Sequence, residues 1–455
     1  MKEKDIITVD ITGINSEGEG IGRIERNGGG FVVFVPGAIT GERVTCRLDR
    51  VSRKYAAASV VEVLSASPNR TKARCSIYGA CGGCQLQHVS YEEQLRIKSD
   101  ILAGAMKRIG HITPSLEVVC NPSPEEWAYR NKTVLPVGGK VGYYERRSHR
   151  IVEFEGCPVL ESSLERMVSE MITAVKNSDL SGYDERSGKG VVRGIAARTG
   201  GGMTLAGTIV ARELTKREFG RLRDIHQKMM SGSSGVAGSV LNIKTGRDNF
   251  VWGPAFRKIC GGNSLSLPLD KFNFSVDISS FFQINTAQAE RIFRRAAETA
   301  KHLGASNVLE LYGGVGSLTA YLADVAESVD SVEEWRPSVR LMKENMERNG
   351  LANVRVFESS SEDFLSGSSA RAHEKSYDTI VLDPPRTGAS EDVINMISLM
   401  SPENFIYISC NPATLARDAA RLMESGRYEM THLEAWDMFP QTSHVESLCV
   451  LRKKR

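Results

Sequence analysis

Across the first 66 residues, apolar positions recur in short runs cut by glycine. Ile6 to Ile11 alternates partly, Gly18, Gly20 and Gly22 mark turns, Phe31 to Val35 is a compact apolar block closed by Pro36-Gly37, and Arg43 to Leu48 alternates again. That rhythm predicts a five-stranded OB-like β-barrel over 1–66, an architecture that often binds single-stranded nucleic acid. Residues 67–265 show no sustained period and read as an irregular α+β region. It contains one amphipathic helix, Tyr91 to Ile109, and strand-like pieces such as Met203 to Ala211, and Gly232 to Gly238 reads as a loop. From 266 to 455 the pattern becomes strand, helix, strand. Val308 to Leu311, Val329 to Glu333, Val354 to Phe357, Thr379 to Leu382 and Phe405 to Ser409 are short β-branched runs, and Pro337 and Pro412 suit the first turns of the intervening helices. This predicts an α/β domain, a mostly parallel doubly wound sheet.

Ligands of such sheets gather at the carboxyl ends of the strands. Glu310 and Tyr312 close the first C-terminal strand, Glu333 the second, Asp383 the fourth and Cys410 the fifth. Glu446 opens the last strand, Val445 to Leu451, and shares the same rim if that strand runs antiparallel.

Composition narrows the setting. The chain has 455 residues, 25% charged and 41% hydrophobic, which is ordinary for a soluble globular protein of about three domains. Its start, Met1-Lys2-Glu3-Lys4-Asp5, leads into no apolar segment, and no stretch approaches a membrane span, so a cytoplasmic protein with no membrane partner is expected. Thiols in that compartment stay reduced, and nine cysteines then argue for ligands and catalysis over disulfides. A net charge of +3 does not establish a nucleic-acid partner. Locally, Arg130, Lys132, Lys140, Arg146, Arg147 and Arg150 face only Glu145, and the chain ends Arg452-Lys453-Lys454-Arg455. Such stripes suit phosphate, or a solvated face.

Two cysteine patterns carry chemistry. Cys75, Cys81 and Cys84 form C-x5-C-x2-C, a thiolate spacing that suits an iron–sulfur centre or zinc. Cys410, in Ser409-Cys410-Asn411-Pro412, sits where a strand meets a helix, a place for a nucleophile whose pKa the helix dipole would lower. Cys46, Cys120, Cys260 and Cys449 have no partner pattern and read as structural. The turn Tyr312-Gly313-Gly314-Val315-Gly316 lets a nucleoside approach the backbone, and Glu333 is placed for ribose hydroxyls. Asp383-Pro384-Pro385-Arg386 favours S-adenosylmethionine over a dinucleotide.

Together, Ser409-Cys410-Asn411-Pro412-Ala413-Thr414-Leu415-Ala416-Arg417-Asp418, Asp383-Pro384-Pro385-Arg386, Phe281-Phe282-Gln283-Ile284-Asn285 and Asp437-Met438-Phe439-Pro440 to His444-Val445-Glu446 resemble the RNA uracil-C5 methyltransferases. The cysteine trio with Cys157 resembles the iron–sulfur branch of that family, typified by 23S rRNA enzymes, and the N-terminal barrel is similar to its TRAM domain. One departure is Gly313, where many members carry cysteine. The resemblance implies a Rossmann-like methyltransferase domain over 266–455 and a [4Fe–4S] cluster on Cys75, Cys81, Cys84 and Cys157 in the central domain. It implies S-adenosylmethionine held by Gln283, Tyr312, Glu333 and Asp383, Cys410 adding to uracil C6, and Glu446 removing the C5 proton. The expected partner is RNA, rRNA above tRNA, presenting an unpaired or flipped uridine to a monomer. An iron–sulfur oxidoreductase would leave Asp383, Cys410 and Glu446 unexplained. A non-catalytic RNA-binding protein gives the rim no purpose, and cytosine-C5 methylation normally uses two catalytic cysteines.

Overall fold

The computed structural model describes the chain except residues 27, 28, 114–116, 233, 234, 247, 249, 250, 368–375 and 455. Arg455 of the basic C-terminal run, and Ser233 and Ser234 of the glycine–serine segment, therefore lie outside the described residues.

Five strands, β1 (Ile6–Ile14), β2 (Glu19–Arg26), β3 (Gly29–Pro36), β4 (Arg43–Val51) and β5 (Tyr55–Ser65), close into the expected barrel in the order β1-β2-β3-β5-β4. The period-2 pattern turns Val44, Cys46 and Leu48 of β4 inward with Val9, Ile11, Val33 and Val35. Arg70 grips Glu42 through two 2.6 Å hydrogen bonds, tying the barrel to the chain that leaves it.

Next come α1 (Tyr91–Arg108), β6 (Cys120–Asn121), β7 (Lys132–Pro136), β8 (Gly142–Tyr144), β9 (Ile151–Glu153), α2 (Ser162–Lys176), β10 (Val192–Gly200), β11 (Met203–Val210), α3 (Lys216–Gly232), β12 (Val236–Ile243) and β13 (Ala255–Gly261). Five of these strands form a sheet in the order β13-β12-β11-β10-β7. Val236 to Gly238, expected in a loop, instead open β12, because pairing with β11 and β13 supplies the ladder that glycine-rich sequence alone does not promise.

The hairpin β14 (Ser264–Leu269) and β15 (Phe272–Asp277) leads into α4 (Thr286–His302), β16 (Asn307–Leu311), α5 (Ser317–Ala323), β17 (Ser328–Glu333), α6 (Arg336–Arg348), β18 (Val354–Glu358), α7 (Ser361–Leu365), β19 (Thr379–Leu382), α8 (Glu391–Met400), β20 (Asn404–Ser409), α9 (Pro412–Glu424), β21 (Tyr428–Trp436) and β22 (Glu446–Lys453). The sheet order is β18-β17-β16-β19-β20-β22-β21-β6. Strands β16 to β20 pair in parallel and β22 is antiparallel to both neighbours. Side chains of α4, α5 and α6 cover one face. Those of α8 and α9 cover the other, joined by Ile97, Ile101 and Leu102 of α1. Thus α1 packs on α9, and β6 adds an eighth strand beside β21. The strand order reverses between β16 and β19, opening a crevice at their carboxyl ends.

Candidate active site

That crevice is a cavity of about 2150 Å³. Gln283, Tyr312, Glu333, Asp383, Cys410 and Glu446 all line it. The first strand end turns sharply: Tyr312 sits at φ 67° and Gly314 and Gly316 at 58° and 85°. A left-handed tyrosine is strained, the kind of backbone found at ligand sites. Glu333 braces this turn, its two oxygens accepting from the N–H groups of Gly314 (2.9 Å) and Trp335 (2.7 Å). Beneath it Glu310 is buried, accepting from the hydroxyls of Ser331 (2.7 Å) and Thr319, and burial lifts its carboxyl to about 7 despite those bonds. A Cβ at Gly313 would lie 2.1 Å from the Ser331 hydroxyl. In this chain that position is therefore closed to a side chain unless Ser331 moves.

Cys410 and Glu446 are brought together by register. Strands β20 and β22 pair antiparallel with Ser409 opposite Ser447. One step further sets Cys410 opposite Glu446, the spacing at which facing side chains meet. Asn411 caps α9, its side-chain oxygen accepting from the Ala413 N–H at 3.1 Å. The lowering of the Cys410 pKa expected from that helix does not occur. A dipole contributes about 0.3–1 kcal/mol, less than the roughly 1.36 kcal/mol that moves a pKa by one. Burial, followed by the charges of Glu446 and Asp383, instead pushes the thiol up to about 12. Burial also raises Asp383 to about 7 and Glu446 well above the usual carboxylate range, with the Asp383 charge further opposing ionisation of Glu446. One oxygen of Glu446, Oε1, is buried with no hydrogen-bond partner. Arg386 favours the charged forms, and with burial it holds the neighbouring His444 neutral, its pKa down at about 4.

The loop from Asp437 to Glu446 is fastened from all sides. Lys98 of α1 forms a fully buried ion pair with Asp437 and donates to the Phe439 carbonyl at 3.0 Å. Gln94 and Gln441 exchange hydrogen bonds of 3.0 and 2.9 Å. Gln85 and Leu86, next to Cys84, donate backbone N–H groups to Gln441, Tyr129 donates to Pro440, Asn285 to Met438, and Ser443 to Ser16 of the barrel region. Lys98 and Gln94 escaped sequence reasoning; a cation and an amide at interior-facing positions of an amphipathic helix were the available signal. Arg130 lines the cavity, but the basic stretch is not a free stripe. Arg146 and Arg147 pair with Glu17 and Glu19 at 3.2–3.7 Å, and Arg150 pairs with Glu145.

The other cysteine set is brought near enough for its thiols to affect one another. Burial comes first in raising the Cys81, Cys84 and Cys157 thiols, and each also feels others of the set, including Cys75. Yet among the described residues no three His, Cys, Asp or Glu side chains are grouped as a metal site. The donor chemistry suits a four-thiolate centre. All four sit outside the named helices and strands, with Cys81 held by isolated β-bridges to Tyr78 and Glu145.

Residues 262–454 match the family model described as tRNA (uracil-5-)-methyltransferase, and residues 2–61 match the TRAM domain. A protein of Halalkalibacterium halodurans named as an uncharacterised RNA methyltransferase is 32% identical over 463 residues, spanning 100% of this chain and 98% of its own. The chain belongs to this RNA methyltransferase family. A relative in Clostridium acetobutylicum with the same description is also 32% identical, over 467 residues, with 100% and 98% coverage. The fold is that of the Pyrococcus abyssi tRNA (uracil-54, C5)-methyltransferase solved with S-adenosyl-L-homocysteine, at a TM-score of 0.76 and 23% identity over 98% of this chain and 99% of that one. Among the described residues no helix is long and apolar enough to cross a membrane.

Proposed function

We propose that the protein methylates C5 of uridine in RNA through a covalent adduct on Cys410. The observation that carries this reading is that Cys410, one residue past the end of β20, and Glu446, at the start of β22, line one cavity with Asp383 and that both carboxylates act on the thiol. Uracil C5 is a poor nucleophile until a thiolate adds at C6 and makes it enolate-like. Cys410, having lost its thiol proton to solvent, makes that bond. Once C5 has taken the methyl group, its remaining proton passes to the unpartnered oxygen of the Glu446 carboxylate, and the C6–S bond breaks to restore the ring and the thiolate. Gln283, Tyr312, Glu333 and Asp383 would hold S-adenosylmethionine, which when bound supplies an electrophilic methyl on a positive sulfur, a charge opposing the carboxylates that hold the Cys410 thiol high. The target base must be unpaired or flipped to reach this recessed thiol.

Our first choice of substrate is 23S rRNA, on the resemblance of the cysteine set. A tRNA is the second reading, favoured by the description of the matched family model. Incubation with S-adenosylmethionine and 23S rRNA or tRNA transcripts tritiated at uracil C5 tests both. Release from one of them fixes the substrate, and release from neither refutes the reaction. We also retain a cluster on Cys75, Cys81, Cys84 and Cys157 as a structural tie. Anaerobically purified protein should then be brown with four iron atoms per chain; iron-free folded protein overturns it.

A further inference from the structure

Small-molecule sites commonly enclose about 300–1,000 Å³, and this cavity, at about 2150 Å³, exceeds what a cofactor and one nucleoside need. Its wall continues past the strand-end rim onto Val251 and Trp252 of the connection between β12 and β13, and onto Phe256 of β13. Trp252 and Phe256 lie with ring centroids 5.7 Å apart, tilted by 45°. Trp252 packs in part against the apolar core, but Phe256 is 40% and Val251 50% exposed, so the pair is not merely core filling. The Lys132 side-chain nitrogen, whose charged form burial disfavours, stands 5.6 Å from the centre of the Trp252 ring. The same nitrogen donates to the carbonyls of Ser279 (3.4 Å) and Ser280 (3.2 Å), at the start of the loop that brings Gln283 to the cavity. The tryptophan is thus fixed to the segment that shapes the reaction site.

An aromatic pair with Trp252 half-buried and Phe256 exposed, in the same cavity as the thiol, matches the chemistry that stacks single-stranded nucleobases. We propose that Trp252, flanked by Phe256, is a stacking platform for a nucleobase adjacent to the target uridine in the same RNA strand. This rests on the cavity being the site of uridine methylation. A platform of this kind accepts any base, so it adds affinity for single-stranded RNA without specifying sequence.

The test uses the full-length protein with fluorescein-labelled nonauridylate, read by anisotropy, and S-adenosylmethionine binding read by calorimetry. Stacking of one base is worth about 1–3 kcal/mol, or roughly 5- to 150-fold in affinity. Trp252→Ala should weaken the oligonucleotide by that factor with cofactor affinity unchanged, and Trp252→Phe should restore most of it. If circular dichroism shows Trp252→Ala misfolded, Phe256→Ala takes its place, with weakening at the lower end of the range. Unchanged oligonucleotide affinity in the folded variants, while the wild type still releases tritium from RNA, overturns the platform alone. Weakened cofactor binding would assign the ring to the cofactor and overturn it equally. A wild type that releases no tritium refutes the reaction reading itself.

Discussion

Two sets of cysteines in this chain have opposite fates. Cys410 stands at a strand end, and the β20–β22 register sets it opposite Glu446 with the cavity in front. Cys75, Cys81, Cys84 and Cys157 have the more recognisable spacing, yet they sit outside the named helices and strands, and no metal-site grouping is found among the described residues. A hydrogen-bonded ladder fixes the position of the residue at its end, whereas a loop residue is fixed only through the groups it binds or packs against.

The sharpest way to break that contrast is to remove each thiol in turn. Cys410→Ala should reduce tritium release at least about 10⁴-fold, as loss of a nucleophile does, with folding cooperativity intact in a urea titration. Cys157→Ser should leave release within a few-fold, and an equal loss would make the front set catalytic. Glu446→Gln should slow turnover about 10²- to 10⁴-fold and trap the enzyme–RNA adduct as a retarded band in a denaturing gel. Slowing without that band would remove Glu446 from the elimination step.

The scaffold behind the rim gives the next effect in size. Lys98→Met leaves Asp437 charged and buried without its partner, which should cost about 3–5 kcal/mol in chemical unfolding. The smallest effect concerns proton affinity. Asp383 and Glu446 both raise the Cys410 pKa, after burial. Because a neighbouring anion disfavours a thiolate, Asp383→Asn should move the pH profile of Cys410 alkylation by iodoacetamide to lower pH, and a shift upward would contradict the electrostatics. The move should be partial, since burial remains.

The two regions also differ in how much of them could be read in advance. The strands ending at Leu311, Glu333, Leu382 and Ser409 were legible, because a parallel strand buried on both faces needs a β-branched run and its end must carry the next residue to the rim. The barrel was legible through its two-residue alternation and glycine turns. The thiol chemistry was misjudged: a helix start after Cys410 suggested activation, but burial and two carboxylates brought in by other strands dominate. In sequence the basic stretch fits a phosphate stripe or a solvated face alike, and its pairing of Arg146 and Arg147 with Glu17 and Glu19, more than a hundred residues earlier, had no local signal.

By itself, then, the sequence determined which segments become strands and helices and which residue types stand at their ends, because local periodicity and turn chemistry act over a few residues. Only the tertiary structure decided that β22 runs antiparallel and faces Glu446 to Cys410, that α1 and β6 join the C-terminal sheet, and that Lys98 is buried against Asp437. Those outcomes depend on which surfaces meet, and on how charges many residues apart are removed from water together, neither of which any local pattern encodes.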